Sequence, residues 1–89
     1  MIIIGNEIPR VSDLVKVRDE EFGLLLVSKK TPILALNEDS KMIWECIDGK
    51  KTISEIAEFI DLSYEVKDSY KTVECFIESC FELRLVEFL

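Results

Sequence analysis

Eighty-nine residues, 48% hydrophobic and 33% charged with three glycines and two prolines, suffice for one domain with a single core; that length excludes a core plus a buried catalytic cleft of ordinary size. The formal charge of -7 sits in one half: residues 1–36 hold five acids and five bases, and residues 37–89 hold thirteen acids against six bases. A nucleic-acid partner would meet that acidic field instead of the clustered lysine and arginine that phosphate binding needs, so non-specific DNA affinity is not expected.

The N-terminal Met1-Ile2-Ile3-Ile4 is apolar, but Gly5, Asn6 and Glu7 end the run long before a signal segment or a membrane span. Residues 1–13 read as an arm or short strand, Pro9 barring a continuous helix, and residues 14–89 as the single domain. In residues 14–18, Val15 and Val17 alternate with Lys16 and Arg18, the period of a half-buried strand. Asp19-Glu20-Glu21 is a polar turn. Residues 22–27 are apolar on both parities, as suits a central strand. Ser28-Lys29-Lys30-Thr31 turns the chain again, and residues 32–36 form a third strand. Connections this short predict a three-stranded antiparallel meander with residues 22–27 in the middle.

The third strand raises a functional question. Exposed strand edges usually carry charge or internal proline that discourages pairing with other chains. No charge lies between Ile33 and Leu36, and Pro32 stands only at the start. Either another part of the chain covers this edge, the N-terminal arm being one candidate, or the edge is open to a partner strand.

Asn37 is the expected N-cap of a first helix, with Glu38 and Asp39 in its first turn. Met42, Ile43, Cys46 and Ile47 make its apolar face, and Asp48-Gly49-Lys50 ends it, with Gly49 suited to the left-handed C′ position. Trp44 falls off that face, as a bridge to a neighbouring element or as a surface aromatic of a binding site. Thr52-Ile53-Ser54-Glu55 fits a capping box, and Ile53, Ile56, Ala57 and Ile60 give the second helix its inward face. Asp61 to Val66 reads as a loop plugged by Tyr64 and Val66. The third helix starts near Asp68-Ser69 and runs to about Leu83, with a wide stripe of Tyr70, Val73, Phe76, Ile77, Cys80 and Phe81 and with Cys75 pointing away. Leu85-Val86 packs back on the core and the last residues fray. An uncharged strand edge beside such a stripe makes a groove in which an extended peptide fits by adding a strand.

Catalytic chemistry finds no candidates. GxGxxG, P-loop, HExxH and GxSxG motifs are absent, and the chain has no histidine. Cys46, Cys75 and Cys80 are odd in number and lack a CxxC pair, so they read as reduced thiols of a cytoplasmic protein and not as a zinc site. A non-catalytic binding module without cofactor, metal, membrane or nucleic acid is the expectation.

The order of elements and the residues Leu36-Asn37, Ile43-Trp44, Ile47-Asp48-Gly49-Lys50, Thr52, Ile56, Tyr64, Val66, Val73, Phe76-Ile77 and Leu85-Val86 resemble the PqqD-like proteins. These are peptide-binding domains, also called RiPP recognition elements. The resemblance runs from about Val15 to Val86. It implies an α+β, winged-helix-like fold, a three-stranded antiparallel sheet followed by three helices. It also implies that the protein binds the leader of a ribosomally made precursor peptide and presents it to a modifying enzyme, most often a radical S-adenosylmethionine (SAM) maturase. In that family the leader adds to the third strand against the third helix, which corresponds here to Ile33, Leu34, Ala35 and Leu36 and to Tyr70, Val73, Phe76, Ile77 and Cys80.

The chain departs from the family pattern at Arg84, where relatives often have glycine, and at Cys80, where leucine is usual. The Ile2–Ile4 arm lies outside the resemblance, placed to cover the open edge or to swap between subunits, and monomer and dimer both stay open. The alternative readings are a winged-helix DNA-binding regulator, against which Glu55 and Glu58 stand on the second helix, and a protein-only adaptor working through Trp44 and Cys75.

Overall fold

The computed structural model describes residues 5–29 and 31–89, and of residues 31 and 32 the backbone alone. The reading of Ile2–Ile4 lies outside the described residues. In chain order the elements are β1 (Pro9–Val11), β2 (Lys16–Glu20), β3 (Gly23–Ser28), β4 (Thr31–Leu36), α1 (Glu38–Glu45), α2 (Ile53–Ser63), α3 (Tyr70–Glu82) and β5 (Val86–Phe88).

The predicted meander is present, with strand order β2-β3-β4 and both pairings antiparallel. Its first hairpin closes later than the acids suggest. Asp19 and Glu20 lie in β2, and Glu20 pairs with Gly23 across a loop of Glu21 and Phe22. The reason is Gly23: its φ is +148°, and a Cβ there would lie 2.0 Å from the Leu36 carbonyl oxygen, so only glycine lets β3 start against the end of β4. One face of the sheet is core: Leu24 pairs with Leu36 and Leu26 with Leu34, and Leu24, Leu26 and Leu36 are buried. The other parity, Leu25 and Val27, is only half-buried, because the helices lie on one side.

A second, two-stranded sheet corrects the reading of both ends. β1 pairs with β5, Val11 opposite Val86 and Pro9 opposite Phe88, and the Leu89 N–H donates to the Ile8 carbonyl at 3.0 Å. The last residues therefore do not fray. Phe88 stacks on Phe81 with ring centroids 4.9 Å apart, and Arg10 pairs with Glu87. The described part of the N-terminal arm is thus committed to the C-terminal strand and to α2, where Glu7 and Gly5 carbonyls accept the Ile53 and Ser54 N–H groups at 3.0 and 2.9 Å.

The helices follow their caps. Asn37 Oδ1 accepts from the Ser40 N–H, and Thr52 and Glu55 form the full capping box. With Gly5 and Glu7 added, the free donors in the first turn of α2 are satisfied. Ile53, Ile56, Ala57 and Ile60 are all buried, as read. α1 is rotated relative to its expected face: Ile43, Trp44 and Ile47 are buried, while Met42 and Cys46 are half-buried. Trp44, only 6% exposed, is a core residue, which removes it as a surface aromatic and with it half of the adaptor reading. Gly49 is left-handed at φ +75°, but it does not cap α1, whose last turn ends at Cys46. It serves the turn in which Asp48 Oδ1 accepts from the Lys50 and Lys51 N–H groups; these bonds, and above all that from the Lys51 ammonium, hold the Asp48 carboxyl far below the usual range.

α2 runs on to Ser63, so the expected loop starts later, and Tyr64 and Val66 are exposed at 54% and 45% instead of plugging the core. α3 ends in a Schellman motif: the Arg84 N–H donates to Phe81 and the Leu85 N–H to Cys80, with Arg84 at φ +62°. The motif turns Leu85 and Val86 inward, where both are buried.

Candidate functional site

The outer edge of β4 pairs with no described strand. Its residues alternate as the pleat requires: Ile33 is 63% exposed, Leu34 half-buried, Ala35 exposed and Leu36 3% exposed. No charged side chain lies on it. α1 packs on β3, β4 and α3 and so spans the gap between the strand and the third helix.

The α3 positions divide into three groups. Val73, Ile77 and Cys80 are no more than 1% exposed and form a floor shared with the sheet core; burial pushes the Cys80 thiol up to about 12. Phe76 is half-buried and packs on the same core as Leu34. Tyr70 lies on a different flank. A Cβ on Gly5 would sit 2.9 Å from its hydroxyl, and burial together with a hydrogen bond to Glu74 raises its pKa. The structure therefore brings Leu34, Leu36, Tyr70, Val73, Phe76, Ile77 and Cys80 onto one core, with Tyr70 at the side that meets the N-terminal segment.

With about 3.6 residues per turn, the charges of α3 segregate. Lys71, Glu74, Glu78 and Glu82 occupy one flank, and Thr72, Phe76 and Ser79 the other. Thr72 lines a hollow with Asp39 and Met42 of α1, so the uncharged flank faces α1, the element that also packs on β4. Thr72 and Ser79 escaped a reading that followed apolar residues alone. The signal was the spacing of the charges, at i, i+3 and i+4 along one side.

What this arrangement offers is an edge of β4 that pairs with no described strand, an uncharged flank on α3 and an apolar floor shared between them. Among the described residues no group of three or more potential metal ligands comes together, and no helix is long and apolar enough to cross a membrane.

Two solved structures share this architecture. TbiB1, determined in complex with the TbiA(beta) leader peptide, superposes with a TM-score of 0.69 at 19% identity over 88% of this chain and 94% of its own. A PqqD truncation of Methylobacterium extorquens PqqCD, described as a functional stand-alone RiPP recognition element, superposes with a TM-score of 0.73 at 21% identity over 97% of this chain and 95% of its own. No curated protein matches the chain. The family model "Coenzyme PQQ synthesis protein D (PqqD)" matches residues 23–86, from the glycine that opens β3 to the first residue of β5. The chain belongs to the PqqD family.

Proposed function

We propose that this protein is a non-catalytic recognition element that binds the leader of a ribosomally made precursor peptide and presents it to a separate modifying enzyme. The leader adds as a strand to β4 and lies against the uncharged flank of α3. The observation that carries this reading is the uncharged outer edge of β4, which pairs with no described strand, together with the uncharged flank of α3. Family membership and the leader-bound state of TbiB1 support it. Main-chain hydrogen bonds supply affinity, and contacts of alternate leader side chains with the half-buried Leu34 and Phe76 supply choice. The partner enzyme we assign is a radical SAM maturase, the class that PqqD-like proteins commonly serve.

Calorimetric titration with synthetic leaders from precursor genes neighbouring its own tests the reading. One leader is expected to bind with micromolar affinity or better, about -8 kcal/mol. Ile33→Pro, which removes a backbone donor from an edge strand that tolerates proline, and Ser79→Glu, which puts a charge on the uncharged flank, are each expected to weaken binding while the circular dichroism spectrum stays that of the parent. Folded protein that binds none of these leaders would overturn the assignment.

A further inference from the structure

Two adjoining hollows run along the exposed side of α1. One, of about 400 Å³, is lined by Glu38, Asp39, Lys41, Met42, Glu45 and Tyr64. The other, of about 300 Å³, shares Asp39 and Met42 and extends between α1 and α3 to Val66, Asp68 and Thr72. Together they form a trough whose floor is the half-buried Met42 and whose wall is the exposed faces of Tyr64 and Val66. Acids dominate its rim. Glu38, Asp39, Glu45 and Asp68 stand against Lys41 and Lys67, and the Lys41 ammonium is engaged 3.5 Å from Asp19. The loop that carries the wall is held in place: Asp61 accepts from the Ser69 N–H at 3.2 Å, and the Ser69 hydroxyl donates to the Ala57 carbonyl at 3.0 Å.

The position of the trough supplies its occupant. α1 starts directly after β4, with only Asn37 between Leu36 and Glu38. A strand paired with β4 that ran on past Leu36 would come to the start of α1, where Glu38 and Asp39 line the trough, with Thr72 of the uncharged α3 flank on its border.

We infer that this trough binds the segment of the leader that flanks the added strand, and that this segment is basic, with lysine or arginine among apolar residues. The inference rests on the strand-addition reading above. The aliphatic stems of such side chains cover Met42, Tyr64 and Val66, while their charged ends reach the acids of the rim. An acidic segment would be refused by the same rim.

The test uses fluorescein-labelled peptides with a common Val-Thr-Val-Thr-Val core and a Lys-Leu-Lys-Leu or Glu-Leu-Glu-Leu flank, placed before or after the core, and reads fluorescence anisotropy. The expected result is binding roughly tenfold tighter for the lysine flank at one end of the core only, lost at high salt and in Glu45→Lys. That substitution puts a cation at the C-terminal turn of α1, where it favours the helix, so the loss is not unfolding. Equal binding of all peptides, or a lysine advantage that survives Glu45→Lys, would overturn the inference; if Ile33→Pro still weakens every peptide, strand addition stands alone. Binding abolished by Glu45→Lys yet indifferent to Ile33→Pro would keep the trough and reject strand addition. No binding by any peptide would reject both.

Discussion

Arg84 occupies a backbone conformation that suits glycine, and the rest of the motif explains why it is forced there. The Phe81 and Cys80 carbonyls are satisfied only if residue 84 turns left-handed, and Leu85 reaches the core only through that turn. An L-residue in that region costs roughly 1–2 kcal/mol. Arg84→Gly is therefore expected to raise unfolding free energy by about 1 kcal/mol and the melting temperature by about 4–8 °C, measured by thermal denaturation. An unchanged or lower melting temperature would mean that the arginine side chain offsets the strain. Of the cysteines, Cys75 is exposed and Cys80 is buried with its thiol pushed up from 9.0 to about 12. Cys75 should alkylate rapidly at pH 8 and Cys80 only on unfolding. The raised value also fixes a sign: the folded state favours the neutral thiol, so that contribution is whole below pH 9 and declines as pH rises from 9 toward 12. Urea midpoints should fall across that window, and less steeply in Cys80→Ala.

At the scale of elements, α2 has the most completely capped start, and its donors are met by side chains next to it and by carbonyls of Gly5 and Glu7 far away in sequence. Thr52→Ala should cost about 1 kcal/mol in urea unfolding, with faster amide exchange confined to the first turn of α2; protection loss spread over the whole helix would contradict a local cap. The difference between those two kinds of partner is also the difference between what was legible in the chain and what was not. The capping box and the apolar face of α2 are local patterns, and each was read correctly; the alternation of Val15 and Val17 was not, because β2 runs over Lys16–Glu20 and leaves Val17 46% exposed. β5 and its pairing with β1 were missed because a strand of such length has no periodicity of its own, and the pairing joins Pro9 to Phe88 across nearly the whole sequence. Trp44 was misplaced because a short helix admits several apolar arcs, and tertiary contacts chose the one centred on Ile47. The candidate groove was legible as a combination of an uncharged strand and a wide stripe. Its boundary was not, since Tyr70 and Phe76 both carry apolar rings and only the docking of the N-terminal segment separates them.

For the molecule as a whole, the sheet and the helices divide the labour of the proposed site. The sheet contributes a backbone edge that pairs with no described strand and α3 an uncharged wall, while nine of the thirteen acids of residues 37–89 lie on the helices. A leader that completes the sheet binds only the folded chain. It should therefore raise the melting temperature with concentration, contributing about 2.7 kcal/mol at a hundredfold excess over its dissociation constant. Differential scanning fluorimetry with a bound leader checks this, and a shift that persists in Ile33→Pro would place the stabilisation elsewhere.

The pairing of β1 with β5 sets residue 8 beside residue 89, with a hydrogen bond joining their backbones. A polypeptide that enters and leaves a domain at one point can be spliced into a surface loop of another protein without separating the loop's two stems. The same geometry puts residues 8 and 89 within reach of a short linker, and a chain joined there could be reopened at the Glu21–Phe22 turn with the β4 edge left as it was.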